Sequence, residues 1–493
     1  MSATPPSYRG LPQMAGLCTI EQAMSAGLSV EECVRRLKRY HYAIKRLHEI
    51  TNARITAEPI YELKSILGLH AHYCAEHVTA LRERVGEMRE PPLGLDVVPD
   101  THLEMFFDEI LAAPTTEELI VGIYEKAFPA VRDAMRRHIA DTNPMVDHPS
   151  IRVCRFALME IEEMIDVGGR CVAALVDPAK RQAAAGWLQL LDDAMRAAGS
   201  LDGVDRVGAT LVSPSPSPSL PDRATRLSPL QRIHSAKPYV YDKVPKRDER
   251  FKDPFNAGVN AEAFLYDPSM PPQAKVLMMF YKRLREIDVP EMMASIIHET
   301  KGKPWRFYRD MTRQLWDEAR HAMMGEVGFA SVNVDWPNTI AVNWVWSRNL
   351  NTQLTAQERH AVLFFIEQGL MPKTGKRYEW EVGVMSQNKL AALFQDYDWA
   401  DEVLHARIGR DHYVPQFASP KEAIAYGDAC WSKILTQYRE HVEQGLTEHR
   451  NWWPDLYRAA CKHWGVEPDP KVLAYDTTYE TIRADLKEIS TSG

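Results

Sequence analysis

The chain contains no apolar run of about 18 residues, so no membrane-spanning helix is expected. Cysteine is sparse: seven in 493 residues, odd in number, scattered from Cys18 to Cys461 and without a CxxC pair. That usage gives neither a disulfide frame nor a zinc knuckle and suits reduced thiols in a cytoplasm. The opening stretch MSATPPSYRGLPQ lacks the charged start and apolar middle of a secretion signal, and a cytoplasmic location is expected. Positive charge is not in excess. Lys and Arg number 59 against 67 Asp and Glu, a net −8, which argues against a nucleic-acid-binding surface. No GxGxxG, P-loop or GxSxG element is present to carry nucleotide or triad chemistry. Few stretches alternate with period two, so little of the chain reads as sheet.

What remains is a soluble composition, 45% hydrophobic and 26% charged, in a chain too long for one ordinary core. The stretch VSPSPSPSLPDRATRLSP, 212–229, cannot hold helix or sheet hydrogen bonds and is too polar to pack. It predicts an N-terminal helical domain at 1–205, a Ser/Pro-rich linker at 206–235 and a second domain at 236–493. Apolar residues recur at three- and four-residue spacing throughout both parts, and an all-α protein is expected. In the second part the main helices are expected at 272–300, 304–329, 355–371 and 387–411. Pro304 suits a helix start, Thr355 a cap, and Glu358 a capping or dipole role.

Two of these helices carry one pattern. LWDEARHAMMGE places Glu318 three residues before His321, and DWADEVLHARIG places Glu402 three before His405. Residues three apart share a helix face, so each pair can aim at one point. Carboxylate oxygen with imidazole nitrogen suits iron or manganese. Helical bundles that hold two such ions take one further Glu from each of two other helices. Hairpin geometry supplies the first. Glu318 lies fourteen residues past Pro304, and Glu286 lies fourteen before Thr300. Its competitor, Glu291, sits about 7 Å nearer the turn. The second is Glu367, the one acid in the apolar run AVLFFIEQGLM. The expected metal ligands are thus Glu286, Glu318, His321, Glu367, Glu402 and His405. Their four negative charges would balance two divalent ions. Asp317 and Asp401, each just before a ligand Glu, are candidate partners for the outer ring nitrogens of the histidines. Trp316, Phe364, Phe365, Tyr397 and Trp399 flank the ligands. Core packing is their ordinary role, and lining a pocket or relaying an electron is the alternative.

The stretches DEARHA and DEVLHARIG resemble the two metal-binding helices of the ferritin-like di-iron carboxylate superfamily. The similarity is closest to the uncharacterised branch related to the tRNA methylthio-isopentenyl-adenosine hydroxylase. EIDVPE, PWRFYRDMTRQLWDEARH and EQGLMPKTG fit that branch as well, and the resemblance spans about 270–412. It implies a ferritin-like four-helix bundle and two iron ions, or an iron/manganese pair, with O₂ as co-substrate. It implies an oxygenase or oxidase that acts on a small organic molecule and draws on an electron donor. The substrate is not carried over, and neither a nucleic-acid nor a membrane partner is expected. Two other readings compete: a ferritin- or rubrerythrin-like iron- or peroxide-handling protein, and a non-catalytic helical interaction protein. The N-terminal part aligns as a degenerate repeat of the same bundle, with Cys74 at the place of Glu318 and Ile165 at that of His405. Such a copy would hold no dinuclear site, although His70, His72, Glu76 and His77 have helical spacing for one ion. This part is the expected seat of partner binding or homodimer formation.

Overall fold

The computed structural model describes residues 7–88, 94–205, 230–256, 258–342, 344–369, 371, 375–434 and 438–478. Of the expected linker, 206–229 lies outside the described residues. The fold is all-α. Among the described residues the one extended pairing is a single antiparallel bridge between Val259 and Thr478. No described helix is long and apolar enough to cross a membrane.

Two compact units form, Met1–Thr51 with Tyr73–Val240, and Asn52–His72 with Tyr241–Gly493. They differ from the contiguous halves expected, because residues 52–72 belong to the second unit. The reason lies in helix length. α1 (Val30–Ala57) has 28 residues and α2 (Tyr61–Glu87) has 27. Each is about 40 Å long, more than one small core is wide. The first unit adds α3 (Thr101–Leu111), α4 (Phe128–Asp141), α5 (His148–Leu175) and α6 (Ala185–Ala197). There α3 packs on α6 and α4 on α5. The end of the expected linker is not free: the buried Glu109 carboxylate accepts the backbone N–H groups of Ile233, His234 and Ser235 and anchors that segment in the first unit.

In the second unit, α7 (Pro272–Arg285) and α8 (Val289–Glu299) replace the single helix expected at 272–300. Between them lies one 3₁₀ turn, Glu286–Asp288. Pro290 causes the break: its ring has no N–H to give and clashes with the carbonyl four residues back, that of Glu286. α9 (Trp305–Ser331) follows the short 300–304 turn, with Pro304 at the N-cap. Next come α10 (Val345–Gln353) and α11 (Ala356–Gly369). Thr355 and Glu358 form a reciprocal cap on α11, Thr355 N to Glu358 Oε2 at 2.9 Å and Glu358 N to Thr355 Oγ1 at 3.3 Å. α12 (Lys376–Met385) leads to α13 (Lys389–His412), capped by Asn388, and α14 (Pro420–Ile434) packs on α11. α7 is buried from Ala274 to Leu284, polar residues included, and is the central rod against which α9 and α12 pack.

Glycine sets two of the packing distances. A Cβ on Gly325, four residues past His321, would lie 2.6 Å from Phe280 O and 2.7 Å from Leu284 Cα, both backbone atoms of α7. A Cβ on Gly409, four past His405, would strike the Phe364 ring on α11. Each ligand-bearing helix therefore carries a glycine where its neighbour comes closest.

Candidate metal centre

All six residues singled out in the sequence meet in one buried cluster. Glu286 comes from the turn after α7, Glu318 and His321 from α9, Glu367 from α11, and Glu402 and His405 from α13. The two imidazole rings lie 5.9 Å apart, centre to centre. His321 Nδ1 faces Glu286 Oε2 at 3.3 Å and Glu318 Oε2 at 3.7 Å. His405 Nδ1 faces Glu318 Oε1 at 3.2 Å, Glu402 Oε2 at 3.5 Å and Glu367 Oε1 at 3.8 Å. Two overlapping groups have the spacing of metal ligands, each with all donor atoms within 4.8 Å of one another. One is Glu318, Glu367, Glu402 and His405. The other is Glu286, His321, Glu402 and Asp398, the last a residue that the sequence reading did not single out.

The outer ring nitrogens are held crosswise. Asp401 on α13 faces His321 Nε2 at 3.2 Å, and Asp317 on α9 faces His405 Nε2 at 3.4 Å. Each helix thus orients the imidazole of the other and directs its Nδ1 into the cluster. Arg320 ties the two aspartates together, binding Asp317 and meeting Asp401 Oδ2 at 2.7 Å.

Charges within the cluster perturb one another strongly. Burial alone would depress His321, but Asp401, Glu286 and Glu318 outweigh it and push it up to about 10. Burial likewise opposes the charged form of His405, and Asp317, Glu318 and Glu402 overcome it and raise it well above its ordinary value. Glu318 is brought down to about 2 despite burial, by His321 and His405. Glu402 is held well below the carboxylate range against burial, chiefly by Lys376. Glu367 goes the other way, raised well above that range by burial and by the negative charge of Glu402 and Glu318.

Three neighbours were not legible beforehand. Lys376 Nζ donates to Glu402 Oε1 at 2.8 Å and to the two oxygens of Asp398 at 3.0 and 2.9 Å. Arg283 pairs with Asp398 and with Glu286 Oε1, the latter at 2.9 Å. Gln314 Nε2 donates to Glu367 Oε1 at 2.9 Å. The signals were weak. Asp398 sits four residues before Glu402, on its face, and Arg283 three before Glu286, whereas Lys376 follows a loop that reads as a plain helix stop. Glu291, the competitor of Glu286, is spoken for. It is fully buried, paired with Lys64 and Arg247, and accepts the Ser347 hydroxyl at 2.7 Å.

A cavity of about 150 Å³ opens onto the cluster and is lined by Glu286, Glu318, Glu367 and Glu402. Glu262, Lys282, Arg285 and Asp288 add further charge to its lining, and Met292, Leu350, Leu363 and Ile366 supply apolar surface. Trp346 and Trp431 also line it, with rings stacked at 4.6 Å. None of the five aromatics weighed in the sequence lines it: Phe364 and Phe365 are core, and Tyr397 is exposed.

A third group with ligand spacing, Cys33, His138 and Asp147, lies in the first unit. It is explained without a metal. Asp147 caps α5 and binds Arg84 at 2.8 Å, and the Cys33 thiol, pushed up to about 12 by burial and then by Asp147, donates to that carboxylate. His77 meets Glu160 at 2.9 Å. Comparison with family models, curated proteins and solved structures finds no match to this chain.

Proposed function

We propose that the second unit is a ferritin-like bundle holding two iron ions, or an iron/manganese pair, and that the protein is an O₂-dependent oxygenase or oxidase of a small organic substrate. One observation carries this reading. Each of the six residues keeps one buried donor atom with no hydrogen bond: Glu286 Oε2, Glu318 Oε1, His321 Nδ1, Glu367 Oε2, Glu402 Oε2 and His405 Nδ1. A buried polar atom left without a hydrogen bond costs about 1–3 kcal/mol, more when charged, so six such atoms facing one another support a common occupant. Carboxylate and imidazole donors in these numbers fit a pair of hard or borderline divalent ions.

Such a pair, when bound, supplies the redox chemistry with O₂ that side chains cannot perform. The chain's own residues do the rest. Asp317 and Asp401 fix both imidazoles, and a substrate in the adjoining cavity would lie beside Glu286 and Glu367. A cavity of about 150 Å³ accepts a body of roughly benzene size. Its apolar residues, Met292, Leu350, Leu363 and Ile366 with Trp346 and Trp431, support an organic substrate. The first unit is read as a worn copy of the bundle, with buried Cys74 in place of a ligand Glu.

The test is metal analysis of protein from iron-supplied cells, followed by mixing the reduced form with O₂. About two metals per chain and a transient visible absorber are expected. A protein that takes up neither iron nor manganese overturns the reading.

A further inference from the structure

The two metal positions are not equally ready, and the difference comes from one lysine. At the position formed by Glu318, Glu367, Glu402 and His405, all four residues present a buried donor atom with no hydrogen bond. At the position formed by Glu286, His321, Asp398 and Glu402, Glu286 Oε2 and His321 Nδ1 are in that condition, and the open Glu402 Oε2 is shared with the first position. The other oxygens of Glu402 and Asp398 are taken. Glu402 Oε1 accepts from Lys376 at 2.8 Å, and Asp398 is held by Lys376 through both oxygens and by Arg283. Lys376 is the first residue of α12, and its side chain is 1% exposed. Its ammonium is a compact point charge with three donors, so it fills the place of a small cation.

We propose that Lys376 keeps the seat of the metal at the Glu286/His321 position, so that the two positions fill in order, the His405 position first. This rests on the dinuclear reading above and adds the sequence of loading. The first ion meets four open donors. The second must expel the Lys376 ammonium from between Asp398 and Glu402 before it gains a third ligand not shared with the first. Asp398 therefore acts as a switch between counter-ion of Lys376 and arm of the second position. Strict order also gives the protein a way to place two different metals, since whichever ion is met first takes the His405 position.

The experiment is a Mn(II) titration of metal-stripped, full-length protein, followed by equilibrium dialysis and by electron paramagnetic resonance. In wild type the first equivalent should give an isolated Mn(II) signal. A spin-coupled pair should appear only with the second, at a Kd about 10–100-fold weaker, the range over which residues behind the ligands tune metal affinity. Lys376→Met and Lys376→Gln, which remove the charge at similar length, should tighten the second site and bring in the coupled signal below one equivalent. Lys376→Arg should keep the gap. Coupled pairs from the first additions in wild type, or an undiminished gap in the uncharged variants, overturn the loading order and leave the dinuclear centre standing. Binding of one ion or none at saturating Mn(II) and Fe(II) overturns both.

Discussion

Replacing Glu367 by Gln separates a metal ligand from a structural acid. In the metal-free protein burial, Glu402 and Glu318 push Glu367 well above the ordinary carboxylate range, toward the neutral form that an amide of equal size mimics. Its carbonyl can go on accepting from Gln314, now at 2.9 Å from Glu367 Oε1. Metal-free stability should move by less than about 1 kcal/mol, the scale of one neutral hydrogen bond. That is a Tm change within about 4 °C for a unit of this size. The loaded protein differs, because there the residue must ionise and bind. Residues behind metal ligands already tune affinity about 10–100-fold, so losing a ligand should cost at least the upper figure, about 2.7 kcal/mol. At about 1,000 times its Kd, metal stabilises wild type by about 4.1 kcal/mol, and the variant by about 1.4. The metal-induced rise in Tm should fall from roughly 8–16 °C to roughly 3–6 °C. Scanning calorimetry with and without Mn(II), beside a metal count, reads both quantities. A variant with the full metal-induced rise, or with a metal-free Tm lowered by much more than 4 °C, refutes the assignment.

Further outcomes follow from the same packing and charges. Glu291→Gln breaks a buried ion pair with Lys64 and Arg247 and should destabilise by about 3–5 kcal/mol with metal content unchanged, whereas Glu286→Gln should lose a metal; denaturant melts and metal analysis separate the two. Gly325→Ala forces a Cβ onto the α7 backbone and should cost about 1–3 kcal/mol less the roughly 1 kcal/mol that Ala gains in a helix, and should lower metal content by parting Glu286 from His321. Gly169→Ala on α5, with open space around it, should instead stabilise by up to about 1 kcal/mol, and thermal melts of the pair should show opposite signs. His321 is raised on folding from 6.5 to about 10, so its contribution to metal-free stability is complete below pH 6.5 and lost as pH rises through 10. Urea midpoints of metal-free protein should fall across that window while metal affinity climbs, and a flat profile for both would contradict the protonated histidine.

Sequence periodicity carried the helices and the convergence of the six side chains because both depend largely on local spacing. Glu318 and His321 share a face through the pitch of α9 alone, and Asp317 and Asp401 were legible for the same reason. Glu286 needed one long-range step, the equal height of residues across the 300–304 turn. What escaped was set by chain sections distant in sequence. Lys376 enters from α12 after a loop with the composition of a surface turn, and the aromatic end of the cavity comes from Trp346 and Trp431, 85 positions apart. Residues 52–72 look like any other part of two amphipathic helices, so their place in the second unit could not be read from pattern. The break at Glu286–Asp288 was readable from Pro290, whose cost inside a helix is about 3 kcal/mol or more, yet continuous apolar spacing on both sides masked it.

Charge accounting links these additions. Four acids against two dications is neutral only if the ligands stand alone, and they do not. Asp398 adds a negative charge, while Lys376 and Arg283 add two positive ones. Lys376 and Arg283 pair with Asp398, and both imidazoles are pushed toward their protonated forms by the acids around them, His321 to about 10. Loading two divalent ions should release protons from the imidazoles, because imidazole binds metal only when deprotonated. Lys376 is the cation that meets both Asp398 and Glu402, whereas Arg283 pairs with Asp398 and Glu286. The ion pairs of the cluster and the hydrogen bonds of one position therefore single out the same side chain.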